Sequence, residues 1–263
     1  MSILSKNTKF LVCALWLFST FTVNATVVEI QTSFGNVEVN LYDNATPATV
    51  ENFLSYVNSG AFASNVMHRS VDGFIVQAGG YQYTGPITGS FNLDRVATGQ
   101  TVINEPKFSN IRGTIAMAKL GGQVNSATSG WFINLDNNSE NLDVQNGGFT
   151  VFGEVIGDGM QVIDAIAALG RMNAGGAFSE LPIRDYTQSD LDNNEPITDE
   201  HLVVIVDVIV KDSTVDSAAG LNPKANTLIN GSGSNNDSGG SGGGSISWML
   251  LGCLCLFKRR IYF

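Results

Sequence analysis

The feature that most constrains the fold of this 263-residue chain is a series of short apolar runs separated by turn-forming residues. In the first run, residues 26–39, apolar and polar side chains alternate on either side of a turn-forming stretch, which is typical of a β-hairpin. Further strand-like runs lie at residues 65–69, 75–78, 113–118, 131–134, 151–155 and 202–210. The last of these is rich in β-branched residues and is predicted to be a buried strand.

Two segments have the residue pattern of helices. Thr46 is a candidate N-cap, Pro47 suits a first helical turn, and Gly60 follows the predicted end of this helix near Asn58. Residues 159–169 repeat apolar side chains at helical intervals. Many strands with two helices predict a closed or sandwiched sheet that is flanked by helices.

The stretch 170–200 is polar and acidic, and it separates the second predicted helix from the last strand. Its carboxylates could bind a cation, but they lack the Asp-x-Asp-x-Asp-Gly order of a calcium-binding loop. We therefore interpret this stretch as a long exposed loop.

Charge and composition exclude several classes of function. The formal net charge is −10, and residues 26–212 contain 8 Lys and Arg against 22 Asp and Glu. Nucleic acid is therefore excluded as a partner, because phosphate binding needs clustered basic side chains. The three cysteines, Cys13, Cys253 and Cys255, lie outside residues 26–212, and the chain has only two histidines. A thiol nucleophile and a Cys or His metal site are thus excluded as well.

The N-terminus is typical of a secretory signal peptide. Lys6 and Lys9 precede a short apolar run, and residues 23–25 fit a small-x-Ala cleavage site. Residues 1–25 are therefore predicted to be removed on export, and the folded domain is predicted to occupy residues 26–212. The alternative interpretation is a buried N-terminal helix.

Five segments resemble motifs of the cyclophilin family and occur in the family's order. Residues 46–53 resemble P-x-T-x-x-N-F, 67–80 resemble F-H-R-x-x-x-G-F-x-x-Q-G-G-D, 112–118 resemble R-G-x-x-x-M-A, 126–134 resemble N-S-x-x-S-Q-F-F-I, and 151–155 resemble V-F-G-x-V. The resemblance spans the whole predicted domain, with extra residues in two of its loops.

The resemblance implies a mainly β fold, a closed eight-stranded antiparallel barrel capped by two α-helices, with the substrate groove on its outer face. It also implies peptidyl-prolyl cis-trans isomerase activity on proline-containing polypeptides, with no metal or other cofactor. By position, Arg69 is the catalytic residue. The positions that match the family's substrate-binding residues are His68, Phe74, Ile75, Gln77, Met117, Ala118, Phe132, Leu142 and Phe149.

These residue types suit the rotation of a prolyl amide. The barrier is about 18–20 kcal/mol because the C–N bond has partial double-bond character. No bond is broken, so the enzyme needs only to bind the twisted amide more tightly than either planar form. Arg69 would donate hydrogen bonds to the twisted amide, and Gln77 would bind the substrate backbone. The proline pocket would be lined by Phe74, Ile75, Phe132 and Leu142.

Some positions depart from the family pattern. Gly130 stands where the family usually has Gln, Asn141 replaces the usual aromatic residue, and Lys119 replaces a frequent Asn. Gly130 and Asn141 favour an alternative function, a proline-peptide binding module with little turnover. A third hypothesis, a structural β domain displayed on the cell surface, is favoured only by the C-terminal tail. A coupled proline-isomerisation assay separates the first function from the other two.

The C-terminal tail has three parts. Residues 213–245 are predicted to be a flexible linker, since most of them are Gly, Ser, Asn and other small or polar residues. Residues 246–263 are an apolar run followed by a basic cluster, predicted to be a sorting or anchor segment and the only part in contact with a membrane. The tail resembles the bacterial GlyGly-CTERM signal, which implies an exported protein, periplasmic or attached to the cell surface or membrane, and a rhomboid-like processing protease as a partner. An uncut anchor is the alternative.

Overall fold

The computed structural model describes residues 26–213 and 221–229. Within these ranges the chain forms mainly short β-strands with a few helices. The strands are β1 Val27–Thr32, β2 Gly35–Leu41, β3 Asn65–Val66, β4 Arg69–Val71, β5 Ile75–Ala78, β6 Tyr81–Gln82, β7 Asp94–Arg95, β8 Thr114–Met117, β9 Trp131–Asn134, β10 Val151–Ile156, β11 Gly170–Met172, β12 Leu181–Ile183 and β13 Val204–Asp212. The helices are α1 Pro47–Asn58, α2 Ser139–Leu142, α3 Gly159–Ala167 and α4 Gln188–Asp192, with 3₁₀ turns at Gln145–Gly147 and Gly176–Phe178.

Eleven of these strands form one sheet, in the order β4-β5-β9-β8-β10-β2-β1-β13-β3-β6-β7, and β11 pairs only with β12. The mainly β class is confirmed, but the closed barrel of eight strands is wrong. The sheet is a curled half-barrel of eleven short strands. The strand number rises because the run predicted at 65–69 divides into β3 and β4, and because the residues that follow Gly80 add β6 and β7.

The run of chain from β3 to β4 changes partners between two consecutive residues. The backbone N–H of Met67 donates to Val203 O at 3.0 Å, whereas the N–H of His68 donates to Gln77 O at 3.1 Å. The Asn65 side chain strengthens this junction, since its Oδ1 accepts from the Gly79 N–H at 2.8 Å. One continuous segment thus connects the β13 side of the sheet to the β5 side and determines where Arg69 begins β4.

Helix α1 has the bounds that the sequence predicts, but its first turn is stabilised differently. Thr46 is the N-cap residue, yet its side chain makes no capping hydrogen bond. Instead the carboxylate of Glu105 accepts from the backbone N–H of Thr49 at 3.0 Å and from its hydroxyl at 2.8 Å. A negative charge from a distant loop therefore satisfies the helix N-terminus, where anions are favoured.

The largest core joins the two long helices, α1 and α3, to strands on both sides of the sheet centre. Phe53 of α1 and Phe62 after it both pack edge-on against Trp131 of β9, with ring centroids 6.5 Å and 6.4 Å apart. From α3, Ile163 and Ile166 are fully buried in the same core. This core fixes one face of β8 and β9, and it leaves their other face for a second cluster.

The prediction of a long exposed loop at 170–200 is wrong. This stretch contains the β11–β12 ladder, and α4 begins with a capping box between Thr187 and Asp190. Phe178, Leu181 and Ile197 are buried in a third core. The apolar residues of this stretch are few and follow no period, so they give no strand or helix pattern among the acidic ones.

Two further predictions near the C-terminus change. The last strand is β13, but it is not fully buried, because Val206 is 59% exposed and alternate side chains of a strand point to opposite faces. Residues 221–229, part of the predicted linker, pack against the domain through a β-bridge between Phe108 and Ala225.

The predicted signal peptide and sorting segment lie outside the described residues. No helix in the described ranges has the length and apolar character needed to cross a membrane.

Gly79 and Gly60 provide a matched test of the β5–β9 packing. Both have positive φ, but a Cβ on Gly79 would lie 2.3 Å from Ser129 O and 2.8 Å from Trp131 Cδ1, whereas Gly60 has open space. We expect Gly79→Ala to lower the free energy of unfolding by about 3 kcal/mol or more, and Gly60→Ala by about 1 kcal/mol from backbone strain alone. Urea denaturation measures both. Equal losses would contradict the close packing at Gly79.

Candidate functional site

The outer face of the central strands carries a second apolar cluster. Its buried members are Tyr42, Ile75, Ala116, Phe132, Leu142, Phe149 and Val151, and Phe74 and Ala118 are partly buried against them. The rings of Phe132 and Phe149 meet edge to face with centroids 5.8 Å apart. The structure therefore brings together six of the residues that the sequence assigns to substrate binding: Phe74, Ile75, Ala118, Phe132, Leu142 and Phe149.

Strand register aligns the polar residues with this cluster. Arg69 of β4 is the cross-strand partner of Gln77 on β5, and Gln77 is the partner of Phe132 on β9. Directly opposed residues in adjacent strands place their side chains on the same face. The guanidinium Nη1 of Arg69 lies 3.5 Å from Oε1 of Gln77. A cation, an amide and an aromatic ring thus form one row across three strands, beside the apolar cluster.

The Arg69 guanidinium is partly buried. Burial lowers the pKa of Arg69 from its ordinary value, and the nearby Glu180 carboxylate opposes that shift. An arginine remains protonated in proteins, so Arg69 stays a positively charged donor at any physiological pH. Glu180 is held in position because its backbone oxygen accepts from the Ser70 N–H at 2.8 Å. The row therefore has a permanently charged donor at one end.

Two residues assigned to substrate binding do not join this face. The His68 ring is 3% exposed and packs against Tyr81, with centroids 4.7 Å apart, and against Phe178 at 6.2 Å. Met117 is 1% exposed and belongs to the largest core. Both placements have one cause, since successive strand residues point to opposite faces and each of these two residues neighbours a residue of the site face.

Lys119 is a site residue whose role the sequence does not reveal. Its Nζ donates to the backbone oxygens of Asn146 at 2.8 Å and Gly148 at 2.6 Å, and it lies 4.8 Å from the Phe149 ring centroid. Burial lowers the pKa of Lys119 to about 8. The only sequence signal is a basic residue just after Ala118, and its partners are backbone atoms that no motif encodes.

The loop that supplies Leu142 and Phe149 is fixed by a buried polar network. The Asp143 Oδ1 accepts from the backbone N–H of Asn110 at 2.7 Å and from its side-chain amide at 3.0 Å. The same Asn110 amide donates to Phe149 O at 3.1 Å, and the Phe149 N–H donates to Leu142 O at 2.8 Å. Buried hydrogen bonds of this kind favour one loop conformation.

Comparison with known proteins points to one family. Residues 27–188 match the family model described as cyclophilin type peptidyl-prolyl cis-trans isomerase. The chain is 38% identical to a peptidyl-prolyl cis-trans isomerase of Acinetobacter baylyi over 57% of this chain and 77% of that protein. It is 34% identical to peptidyl-prolyl cis-trans isomerase B of Escherichia coli over 60% of this chain and 94% of that protein.

A solved structure shares the fold. The crystal structure of a cyclophilin-type isomerase from Cryptosporidium parvum aligns with a TM-score of 0.50 at 20% identity, covering 72% of this chain and 99% of that one. The chain therefore belongs to the cyclophilin-type peptidyl-prolyl cis-trans isomerase family. It is an enzyme that interconverts the cis and trans forms of X-Pro peptide bonds.

The buried His68 predicts an acid-dependent loss of stability. Burial, with smaller contributions from the Arg69 and Arg95 charges, lowers the pKa of His68 from 6.5 to about 4. His68 therefore takes up a proton near pH 6.5 in the unfolded chain but only near pH 4 in the folded chain. The contribution of His68 to the free energy of unfolding is thus complete above pH 6.5 and is lost as pH falls towards 4. The loss is on the order of 3 kcal/mol.

Urea denaturation of the wild type and of His68→Gln across this pH range measures the effect. We expect the variant to lose a large part of the slope of unfolding free energy against pH. His201→Gln, at the only other histidine, is the matched control. A slope that is identical in wild type and His68→Gln would refute this origin of the acid sensitivity.

Proposed function

We propose that this isomerase binds the X-Pro segment on the face that carries Arg69, Gln77 and Phe132. The observation that carries the proposal is the register of β4, β5 and β9, which aligns these three residues beside the second apolar cluster. The cluster offers the proline ring an apolar contact through Phe74, Ile75, Phe132, Leu142 and Phe149. Apolar concave sites with a few convergent polar groups are typical of ligand binding.

The proposed mechanism is stabilisation of the twisted amide. As the C–N bond rotates, the prolyl nitrogen becomes pyramidal and gains a lone pair, which can accept a hydrogen bond. Arg69 donates to this developing acceptor and stabilises it more than either planar form, which lowers the barrier. Gln77 donates to or accepts from the substrate backbone while the apolar walls hold the ring. Nothing in this cycle changes the protonation of a side chain.

The alternative of a binding module with little turnover is favoured by Gly130 and Asn141. Gly130 presents no side chain beside the site, and a Cβ there would lie 3.4 Å from Ala118 Cβ. The groove therefore lacks a side-chain hydrogen bond at this position. The Arg69 mechanism does not use Gly130, so we favour catalysis over binding alone.

Arg69→Ala should lower kcat/KM by about a hundredfold or more, since losing a donor to developing charge typically costs about 2.7–4 kcal/mol. A coupled proline-isomerisation assay measures the change, and the melting temperature should stay near that of the wild type because Arg69 lies in a part-buried pair at the sheet edge. Arg171→Ala is the matched control, since Arg171 is an exposed arginine 3.7 Å from the same Glu180. Wild-type kcat/KM in Arg69→Ala would exclude the mechanism.

We also propose that the enzyme assists the folding of exported, proline-containing polypeptides outside the cytoplasm. Support comes from the signal-peptide pattern of residues 1–25 and the sorting-signal pattern of residues 246–263. In this proposal a rhomboid-like protease processes the tail, and only the tail contacts the membrane. The apolar run of the tail is shorter than the about 20 residues that a helical span requires, which suits a transient insertion before cleavage.

Mass spectrometry of the protein isolated from its natural host tests the processing. We expect an N-terminus near Thr26 and a C-terminus upstream of the basic cluster 258–260. A mature protein that still ends at Phe263 would exclude processing and leave the uncut anchor. Recovery of that full-length form in the soluble fraction would exclude both the sorting signal and the anchor.

A further inference from the structure

Residues 221–229, here named the C-terminal clasp, add a short extended segment to the domain outside the 27–188 family match. The Ser109 N–H donates to Lys224 O at 2.8 Å, and the Asn226 N–H donates to Lys107 O at 2.8 Å. These paired bonds flank the bridge between Phe108 and Ala225 and are antiparallel. Backbone pairing of this type holds a segment with little dependence on its side chains.

One side chain of the clasp is an exception. Asn226 is 8% exposed, and its side-chain amide donates to the backbone oxygen of Asp143 at 2.9 Å. Its Oδ1 accepts from the N–H groups of Leu228 at 3.0 Å and Ile229 at 3.1 Å, which closes a turn in the clasp itself. The two ends of one amide therefore join the clasp to the loop that carries Leu142 and Phe149.

From Asp143 the connection continues to the apolar cluster. The Asp143 carboxylate binds Asn110, which in turn donates to Phe149 O. The clasp also packs directly on this loop, since a Cβ on Gly148 would lie only 3.0 Å from Ile229 Cδ1. Each contact in this series is made to the backbone or to a buried group of the 142–149 loop.

We propose that Asn226 is a positioning residue for the proline pocket, and that docking of the clasp holds Leu142 and Phe149 in the conformation that binds substrate. The inference rests on the proposed function of this face, in which the two side chains contact the proline ring. Asn226 touches no reacting atom, so it acts on substrate affinity through the loop. Arg69 and Gln77 lie on β4 and β5, outside this loop, so their positions do not depend on the clasp.

The test uses the mature chain with its whole C-terminal region and the variant Asn226→Asp. This change keeps the shape and the Oδ1 acceptor, but it puts a carboxylate oxygen against the Asp143 carbonyl where an amide donor was. We expect the KM for an X-Pro peptide to rise about fivefold, as for the loss of one buried hydrogen bond. The kcat should change by less than about twofold, because the transition-state donor is retained.

Thr227→Ala is the matched control, since Thr227 is an exposed neighbour in the same clasp. It should leave both kcat and KM unchanged. Hydrogen exchange of the Ser109 and Asn226 amides, which donate to Lys224 O and Lys107 O, reports the docking of the clasp in each sample. If Asn226→Asp fails to fold, Asn226→Ala, which removes the donor without adding charge, is held to the same criteria.

An unchanged KM in a variant whose Ser109 and Asn226 amides exchange faster would overturn the proposal, because the clasp would be released without consequence. Phe149→Ala separates this failure from failure of the pocket assignment. A raised KM in Phe149→Ala beside a normal KM in the Asn226 variant refutes the clasp alone. A normal KM in Phe149→Ala refutes the pocket assignment on which the clasp depends.

Discussion

The register of three neighbouring strands is the constraint on which the site depends. Arg69, Gln77 and Phe132 are paired residue by residue across β4, β5 and β9. A slip of one residue in β4 would exchange its two faces, placing His68 beside Gln77 and burying the Arg69 charge. The junction at Met67 and His68, where the chain changes its hydrogen-bonding partner, sets this register.

The register holds because the two faces of the central strands are buried in two separate apolar clusters. One face of β9 carries Trp131 and Ile133 into the largest core, and the other carries Phe132 into the second cluster. Between strands and loops runs a polar connection in which the Asn138 amide donates to Phe74 O and to Asn134 Oδ1, both at 2.8 Å. Buried amides tolerate few arrangements, so they add specificity that apolar contacts alone do not provide.

The parts of the fold that the sequence predicts are those with local signals. The bounds of α1, β5 and β9 follow from turn residues and apolar runs, and four residues of the apolar site cluster, Phe74, Ile75, Ala118 and Phe132, lie in the family motifs. The structure buries His68 and Met117 away from this face, which the family motifs do not reveal, because a motif records position but not the face to which a side chain points. Strand alternation separates each of them from its neighbour in the site.

The remaining failures are long-range. The core residues Phe178, Leu181 and Ile197 are scattered through an acidic stretch, and some of their partners are distant in the chain, as Tyr81 and Phe91 are from Phe178. The docking of the clasp also depends on a long-range contact, since Asn226 and Asp143 interact over a separation of 83 residues. Glu105 as the acceptor for the first turn of α1 is a third case, at 56 residues from Thr49. Hydrogen bonds of this kind leave no period or spacing in the sequence.

The position of the last strand has a consequence for how the protein reaches its native state. β13 lies between β1 and β3, so β1, the first strand in the described ranges, receives one of its two neighbours only when residues 204–212 are present. A polypeptide delivered N-terminus first, as in synthesis or transport across a membrane, holds β1 with an open edge until nearly the whole domain has emerged. Open edges invite pairing with other chains, and contacts between chain ends form slowly. An enzyme that accelerates a slow step in folding thus has, in its own topology, a delay that prolyl isomerisation cannot shorten.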